Sequence, residues 1–436
     1  MRLAFIVSHP IQYYVPIYRE LAKRARIQGT GDRRQETADD SARISALKVF
    51  YTWRDAGPAR DVRFEKTFAW DIPLMEGYDF EVVPNASPEP GTHHRKGLIN
   101  PELVERVKAW KPDVVHVTGY NYVSHGQAIK ELSKAGIPVI FRGDSHLLDG
   151  RGSWWRWQLK KWFVSRVYRW PAAFPYVGQA NRDYYRAFGV PERKLFPVPH
   201  TIEVGRFAEP NDELEAKALA WRRELGIPDD HFVFLYAAKL EPRKRPMALL
   251  EAFLAAGLPK ATLVFVGSGE LERKLKERAL DGEHGISVKQ CFGNAPDTEK
   301  PKNRKTEPPV AEDSARRVVF LEFQNQSRMP LVYRLGDALV LPSGYGETWG
   351  LAVNEAQACG RPSLVSDCVG CARDIIREGE NGMIFRTDDW GDCVSVMRHM
   401  AEIDWRGKRD AIRAGAWEFD TARGADALLR GIRQTA

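Results

Sequence analysis

Ala338-Leu339-Val340-Leu341-Pro342-Ser343-Gly344-Tyr345-Gly346-Glu347-Thr348-Trp349-Gly350-Leu351 opens the densest stretch of the sequence, which runs on through Glu355 to Gly360-Arg361-Pro362 and Ser363–Ser366. An apolar strand is expected up to Leu341, then a glycine-rich turn, then a helix from about Leu351. Gly360 stands where a helix stops, Pro362 lies just beyond, and a further strand follows. A flexible turn feeding a helix N-terminus presents unpaired amide N–H groups and the positive end of the helix dipole, which suits a phosphate. The same pattern also describes an ordinary strand-turn-helix connection. Glu347 and Glu355 flank that N-terminus, and the turn plus the helical rise sets their carboxyls ~10 Å or more apart. That is too far for a shared proton and suits the two ends of one elongated ligand, a sugar ring at one carboxylate and a ribose at the other.

Outward from this stretch, short apolar runs alternate with amphipathic ones. Leu3–Val7, Leu47–Tyr51, Phe80–Val83, Val114–Val117, Pro138–Phe141 and Ala173–Val177 read as strands, with Tyr13–Ala25, Pro101–Trp110, Gln127–Lys134 and Asn181–Phe188 as helices between them. After the polar stretch Glu209–Lys217 a second series begins, with strands at Val233–Ala237, Thr262–Val266, Val318–Leu321, Ala338–Leu341 and Ser363–Ser366. Such alternation predicts two doubly wound α/β domains with parallel sheets. The expected domains are 1–208 and 209–410, with the amphipathic end 411–436 able to pack back on the first. Gln28–Ala46 and Asp281–Arg316 are polar, lack apolar periodicity and read as exposed insertions.

The 436 residues, 43% of them hydrophobic, exceed a lone small module and exclude wholesale disorder or a coiled-coil rod. A formal net charge of +7 favours anionic partners without choosing among them. Five cysteines cannot staple a chain of this length, and the odd number suits a reducing compartment. The cytoplasm is therefore expected. The apolar start at Leu3 is too short for a signal-peptide core and reads as a first strand, and no run approaches the length of a membrane span. Any membrane attachment is expected at the surface.

Glu347 and Glu355 within Gly-Glu-Thr-Trp-Gly-Leu-Ala-Val-Asn-Glu-Ala, followed by Gly360-Arg361-Pro362 and Val369-Gly370-Cys371, resemble the donor-binding signature of the family-4 retaining glycosyltransferases. The resemblance extends to Lys239-Leu240-Glu241-Pro242-Arg243-Lys244, Val266-Gly267-Ser268-Gly269, Phe323-Gln324-Asn325-Gln326 and Gly178-Gln179-Ala180-Asn181. It implies a GT-B fold of two Rossmann-like domains, the second holding a nucleoside diphosphate sugar as donor substrate, with no separate cofactor. It further implies Glu347 at the donor sugar, Glu355 at the ribose, backbone amides from Gly350 and Leu351, and Thr348 and Trp349 among the donor-binding residues. Lys239 and Lys244 would stand at the diphosphate, with Gly267, Gln324 and Asn325 nearby. Two fixed cations can stabilise a departing diphosphate without a metal. Lys239 stands where the family more often has arginine. Asp-x-Asp does not occur in the sequence, and Cys368-Val369-Gly370-Cys371 has no second pair, so no metal is assigned.

In the first half the family usually has a glycine-rich loop after its first strand, whereas this sequence has Ser8-His9-Pro10-Ile11-Gln12-Tyr13-Tyr14. His9 and Gln12 are cleft candidates because ligands of open α/β sheets bind at carboxyl strand ends. His9 is also a candidate for capping structure. Asp144 and His146, after the strand Pro138–Phe141, are catalytic candidates where the family commonly carries a histidine, and a surface-turn role fits them as well. Ser153–Trp170 mixes tryptophans with Arg156, Lys160, Lys161, Arg166 and Arg169, which suits a domain-core helix with cations at its rim or an anionic membrane surface. The architecture supplies no nucleic-acid module. The expected activity is metal-independent retaining transfer of a hexose-like sugar to a glycan or lipid-linked acceptor, on the inner face of a membrane or in the cytoplasm. A nucleotide-sugar epimerase, a phosphorylase, or a non-catalytic membrane- or glycan-binding protein are the competing expectations.

Overall fold

Unbroken burial along the first strand organises the first half of the molecule. In the computed structural model, which describes residues 1–29, 44–53, 60–61, 66–67, 70–148, 153–208, 212–280, 286–291 and 316–435, Leu3, Phe5 and Val7 face one hydrophobic layer and Ala4 and Ile6 the other. A strand buried on both faces belongs at the centre of a parallel sheet. Accordingly β1 (Arg2–Val7) is flanked by β2 (Ala46–Tyr51) and beyond it β3 (Phe80–Val82), and on its other side by β4 (Val114–Thr118) and then β5 (Val139–Arg142). Pairing is parallel throughout, with Leu3 opposite both Leu47 and Val114. A parallel pair, β6 (Phe174–Tyr176) and β7 (Leu195–Pro197), joins the Ala173 bridge to Ile140 of β5.

Helices cover both faces of this sheet. Val15, Tyr18 and Leu21 of α1 (Val15–Gly29) pack on Phe5, Val49 and Tyr51. On the opposite face α2 (Leu103–Ala109) and α3 (Val123–Lys134) supply Val107, Ile129 and Leu132 beneath Ala4, Ile6 and Val117. α4 (Trp154–Tyr168) and α5 (Gln179–Ala187) complete the layer, contributing Val164 and Tyr168, and Tyr184 and Tyr185.

The second unit, Ala59–Asp71 with Val204–Trp417, begins with α6 (Val204–Ala208) and α7 (Asp212–Glu224). The polar stretch expected to link the domains is therefore largely helix. Asp212, Glu213 and Glu215 occupy the first turn of α7, where negative charge complements the helix dipole, and Trp221 is buried at its other end. A parallel sheet follows, built of β8 (Phe232–Ala237), β9 (Ala261–Val266), β10 (Ile286–Cys291), β11 (Arg316–Leu321), β12 (Ala338–Leu341), β13 (Ser363–Ser366) and β14 (Gly382–Phe385). Its order is β10-β11-β9-β8-β12-β13-β14, so the chain reverses direction of winding between β8 and β12.

Strand β10 lies inside the segment expected to be an exposed insertion and pairs along its whole length with β11. Ile44, at the edge of the other expected insertion, is fully buried beside β2. Most of both segments lies outside the described residues. α8 (Pro246–Ala256), α9 (Glu272–Leu280), α10 (Met329–Leu335), α11 (Leu351–Ala358), α12 (Ala372–Ile375), α13 (Trp390–Glu402) and α14 (Arg409–Ala416) surround the sheet. Leu249, Leu250 and Phe253 of α8 join Met397 and Met400 of α13 over Phe234, Leu263 and Val340.

The expected single amphipathic end is two helices, broken by a 3-10 turn at Trp417–Phe419 where the chain leaves the second unit. α15 (Thr421–Thr435) returns to the first unit. Its Leu428, Leu429 and Ile432 pack with α1 in the core, and Arg24 of α1 pairs with Asp426.

Candidate functional site

In an open α/β sheet the loops leaving the carboxyl ends of the strands where winding reverses form the natural ligand crevice. In the second unit those loops are Ala238–Arg245 after β8 and Pro342–Gly350 after β12. They meet through charge: the Lys244 ammonium is ion-paired with Glu347 Oε2, which also accepts a hydrogen bond from Ser343 Oγ at 2.9 Å. Burial alone would raise the Glu347 pKa, but Lys244, the Ser343 hydroxyl and Arg243 outweigh it and hold the carboxyl below the ordinary range. Arg243 donates to Gly346 O at 2.6 Å, and Arg245 to Thr387 O at 2.5 Å. These contacts fasten the turn to its neighbours.

Gly350 caps α11 at φ +98°, a left-handed conformation that costs an L side chain energy. A Cβ there would also lie 2.8 Å from Leu341 and 2.9 Å from Val369. Trp349 is buried, and its indole donates to Asn354 Oδ1 at 2.9 Å, pinning the turn to the helix it opens. Thr348 is exposed and Leu351, the first helical residue, half-buried. The start of α11 thus offers free amide N–H groups beside a cation and a carboxylate.

Glu355 stands apart from that pair. One turn into α11, it is buried and accepts a 2.6 Å hydrogen bond from the Tyr333 hydroxyl of α10. Desolvation raises its pKa to about 6, against the pull of Tyr333 and Arg206. Arg206 itself donates to Gln326 Oε1 at 2.8 Å. Of the remaining candidates, Lys239 is half-buried, with its carbonyl accepting from the Tyr236 hydroxyl at 2.7 Å. Gln324 donates to Glu322 O at 3.1 Å, and Asn325 Oδ1 caps a short 3-10 turn. Gly267 has φ +145° and would place a Cβ 2.2 Å from Ala238 O, so the loop after β9 presses directly on the loop after β8.

The first unit gathers a second set of polar groups at its own winding reversal, between β1 and β4. Arg142 ends β5, is buried, and stacks its guanidinium over the Tyr14 ring at 5.6 Å, with Nε 3.6 Å from Asp144 Oδ1. Asp144 Oδ2 accepts from the Tyr14 hydroxyl at 3.2 Å and lies 3.3 Å from His200 Nε2. Burial works against ionisation of Asp144, but His200, Arg142 and Tyr14 hold its carboxyl well below the ordinary range. His116, beneath them, is lowered to about 3 by burial and by Arg142 and is a neutral core ring.

His146 is buried close by in the chain, whereas Asp144, in the same loop, keeps 26% of its side chain exposed. His9 is half-buried, with Nδ1 2.9 Å from Ser8 Oγ and its ring edge-on to Trp53. Gln12 is half-buried with its Oε1 shielded and unpartnered. Sequence reading missed Arg142, His200 and Tyr14 as members of this cluster. Tyr14 stood within the loop Ser8–Tyr14 and Arg142 lies two residues before Asp144, while nothing local marks His200. Ser343 and Tyr333, which orient the two glutamates, were missed as well. Among the described residues no cluster of three or more His, Cys, Asp and Glu groups is arranged to hold a metal ion.

Two family models match, one over each half of the chain. The glycosyl transferase 4-like domain matches residues 27–201, and glycosyl transferases group 1 matches 218–306 and 310–416. D-inositol 3-phosphate glycosyltransferase of Thermomonospora curvata is 27% identical over 256 residues, covering 58% of this chain and 53% of that protein. The enzyme of the same name from Actinosynnema mirum is 32% identical over 210 residues, covering 46% and 43%. The chain spans about half the length of the curated relatives it matches. Among solved structures, Anabaena HepE in complex with UDP and glucose superposes with a TM-score of 0.61 at 16% identity over 99% of both chains. The lipopolysaccharide outer core galactosyltransferase WaaB, in its apo form, gives 0.63 at 16% over the whole of both. These two show likeness of fold.

Proposed function

We propose that this chain, a glycosyltransferase of the GT-B fold, is a metal-independent retaining enzyme that moves a hexose-like sugar from a nucleoside diphosphate to a hydroxyl of a glycan or lipid-linked acceptor. The observation that carries this reading is the Lys244–Glu347 pair at the winding reversal of the second unit, beside the N-terminus of α11. A donor entering there exchanges one set of partners for another. Lys244 leaves the carboxylate for the diphosphate, and Glu347 turns to the sugar hydroxyls. Lys239 and the first amides of α11 add positive potential at the leaving group, whose charge grows as the glycosidic bond breaks.

Attack from the face that the diphosphate leaves, with a phosphate oxygen taking the acceptor proton, retains configuration without a protein nucleophile. Glu355, with Tyr333 as its support, holds the ribose. The Arg142–Asp144–His200 cluster of the first unit binds on the acceptor side, and the enzyme works at the cytoplasmic face of a membrane. A donor of the kind bound by HepE, a UDP-sugar, is the first to try.

The test is a thermal-shift panel of nucleotide sugars followed by transfer assays on the stabilising donor. A ligand at about a hundred times its Kd adds ~2.7 kcal/mol to folding, enough to move the midpoint by several degrees. Stabilisation by at least one donor, and transfer abolished in Glu347→Ala, are expected. Turnover of the donor without any acceptor, or strict dependence on inorganic phosphate, would instead assign an epimerase or a phosphorylase.

A further inference from the structure

Helix α4 carries its hydrophobic residues on two opposite sides. Trp157, Val164 and Tyr168 face the first unit, Trp157 against Phe188 with ring centroids 4.9 Å apart and Tyr168 among Phe141, Phe174 and Tyr185. On the far side Trp155, Leu159 and Trp162 follow at helical spacing and are 58%, 61% and 59% exposed. Trp154 at 76% and Phe163 at 41% widen the ridge. The expectation of a core helix thus holds for one side only, because one side suffices to fill the space over Phe141 and Phe174. Soluble surfaces rarely gather exposed tryptophans and leucine in one contiguous patch, so such a ridge marks a contact surface.

The charge around the ridge identifies its partner. From Ser153 to Trp170 the sequence has five basic side chains and no acidic one. Lys160 points inward, over Tyr184 at 5.3 Å and Phe188 at 5.7 Å. Arg156 and Arg166 instead stack on the outward rings, their guanidinium carbons 5.2 Å from the Trp155 centroid and 4.7 Å from that of Trp162. Each arginine therefore sits level with an exposed indole. Indole rings settle at the headgroup level of a bilayer, and cations at that level meet lipid phosphates. A protein partner would call for no such excess of one sign along the whole helix.

We infer that α4 is the membrane-docking element of this protein, lying flat on an anionic bilayer with Trp155, Leu159 and Trp162 in the interface and Arg156 and Arg166 at the phosphates. It deepens the reading of a membrane-side acceptor, and rests on that reading for its purpose but not for its physics. Over 15 residues the helix offers a footprint about 22 Å long.

The full chain is mixed with vesicles of phosphatidylcholine alone or with phosphatidylglycerol, and flotation is measured at low and high salt. Binding is expected on the anionic vesicles only, weakening as salt rises. Replacing Arg156 and Arg166 with Gln should lower partitioning about fivefold per charge, roughly 25-fold together. Trp155→Ser with Trp162→Ser should abolish quenching of tryptophan emission by brominated acyl chains. Neither set touches Val164 or Tyr168, so the melting temperature should stay at the parent value.

Absence of flotation on anionic vesicles at low salt, or flotation unchanged by the charge substitutions, overturns the proposal. So does a concentration-dependent dimer that the two serines dissolve without any vesicle binding, which would give the ridge to a second copy. Stabilisation by a donor nucleotide is read in parallel. Its loss with vesicle binding intact sinks the transferase reading alone, and its persistence without vesicle binding sinks the docking alone.

Discussion

Glu347 is held by a lysine and a serine in a site from which water is largely excluded, and removing one member of such a pair leaves the other charged and unsolvated. Lys244→Ala should therefore destabilise the protein by about 3 kcal/mol and raise the Glu347 pKa, while Lys244→Met with Glu347→Gln should cost much less. Chemical denaturation of the three variants measures this. Glu355 behaves in the opposite sense. Its folded pKa of about 6 exceeds that of an unfolded glutamate, so the folded state binds the extra proton and stability falls as pH rises through the window from about 4.5 to 6. Glu355→Gln should gain roughly 2 kcal/mol over the parent at pH 7 and nothing below pH 4, seen in melting curves across that range. On the proposed reaction, Glu355→Ala weakens donor binding whereas Glu347→Ala lowers turnover, since only the contact at the reacting sugar tightens in the transition state. Equal effects on KM and kcat in both variants would remove that division.

At the scale of elements, α7 shows how a polar stretch becomes a structural helix. Its Glu215 reaches Arg361 at 2.6 Å and Arg334 at 3.2 Å, two arginines that are fully buried. Arg334 also donates to Phe207 O and Arg361 to Gly336 O, so α6, α7, α10 and the end of α11 are tied at one carboxylate. Glu215→Ala should cost about 3 kcal/mol or more, and high salt should change that figure little because the arginines are screened by protein instead of solvent. Urea unfolding at two ionic strengths checks both statements. The sharp entry into α11 depends on a backbone conformation that a side chain disfavours. Gly350→Ala meets Leu341 and Val369 as well and should lose donor-induced stabilisation together with stability.

For the whole molecule, two parallel sheets with reversals at β1/β4 and β8/β12 put chemistry-bearing side chains at carboxyl strand ends in each unit. On the proposed reaction Lys239 and Lys244 supply positive charge to the departing diphosphate. Activity is therefore expected to survive excess chelator. Loss of transfer in chelator with recovery on magnesium or manganese would reverse that prediction. None of the helices among the described residues is long and apolar enough to cross a membrane; the bilayer contact proposed for α4 is one at the surface.

The sequence by itself determined the alternation of strands and helices, since burial on both faces demands unbroken apolar runs such as Leu3–Val7 and Ala338–Leu341. It also determined the turn before α11 and the stop after it, because Gly350 and Gly360 answer to local backbone geometry, and it marked Glu347 through its place in that turn and Lys244 through the family resemblance of Lys239–Lys244. Only tertiary structure decided that Lys244 reaches Glu347 and that Glu355 faces Tyr333, because these partners are distant in sequence and no local period links them. The cluster of Tyr14, Arg142, Asp144 and His200 was hidden for the same reason: four residues from three separate segments meet only once the sheet sets the strand ends side by side. Strand β10 escaped a reading by apolar period because its pairing with β11, a long-range contact, is what makes it a strand. In α4 composition announced aromatic and basic residues but not their sides. Helical phase and the position of Phe141 and Phe174 decided that Tyr168 goes in and Trp155 stays out.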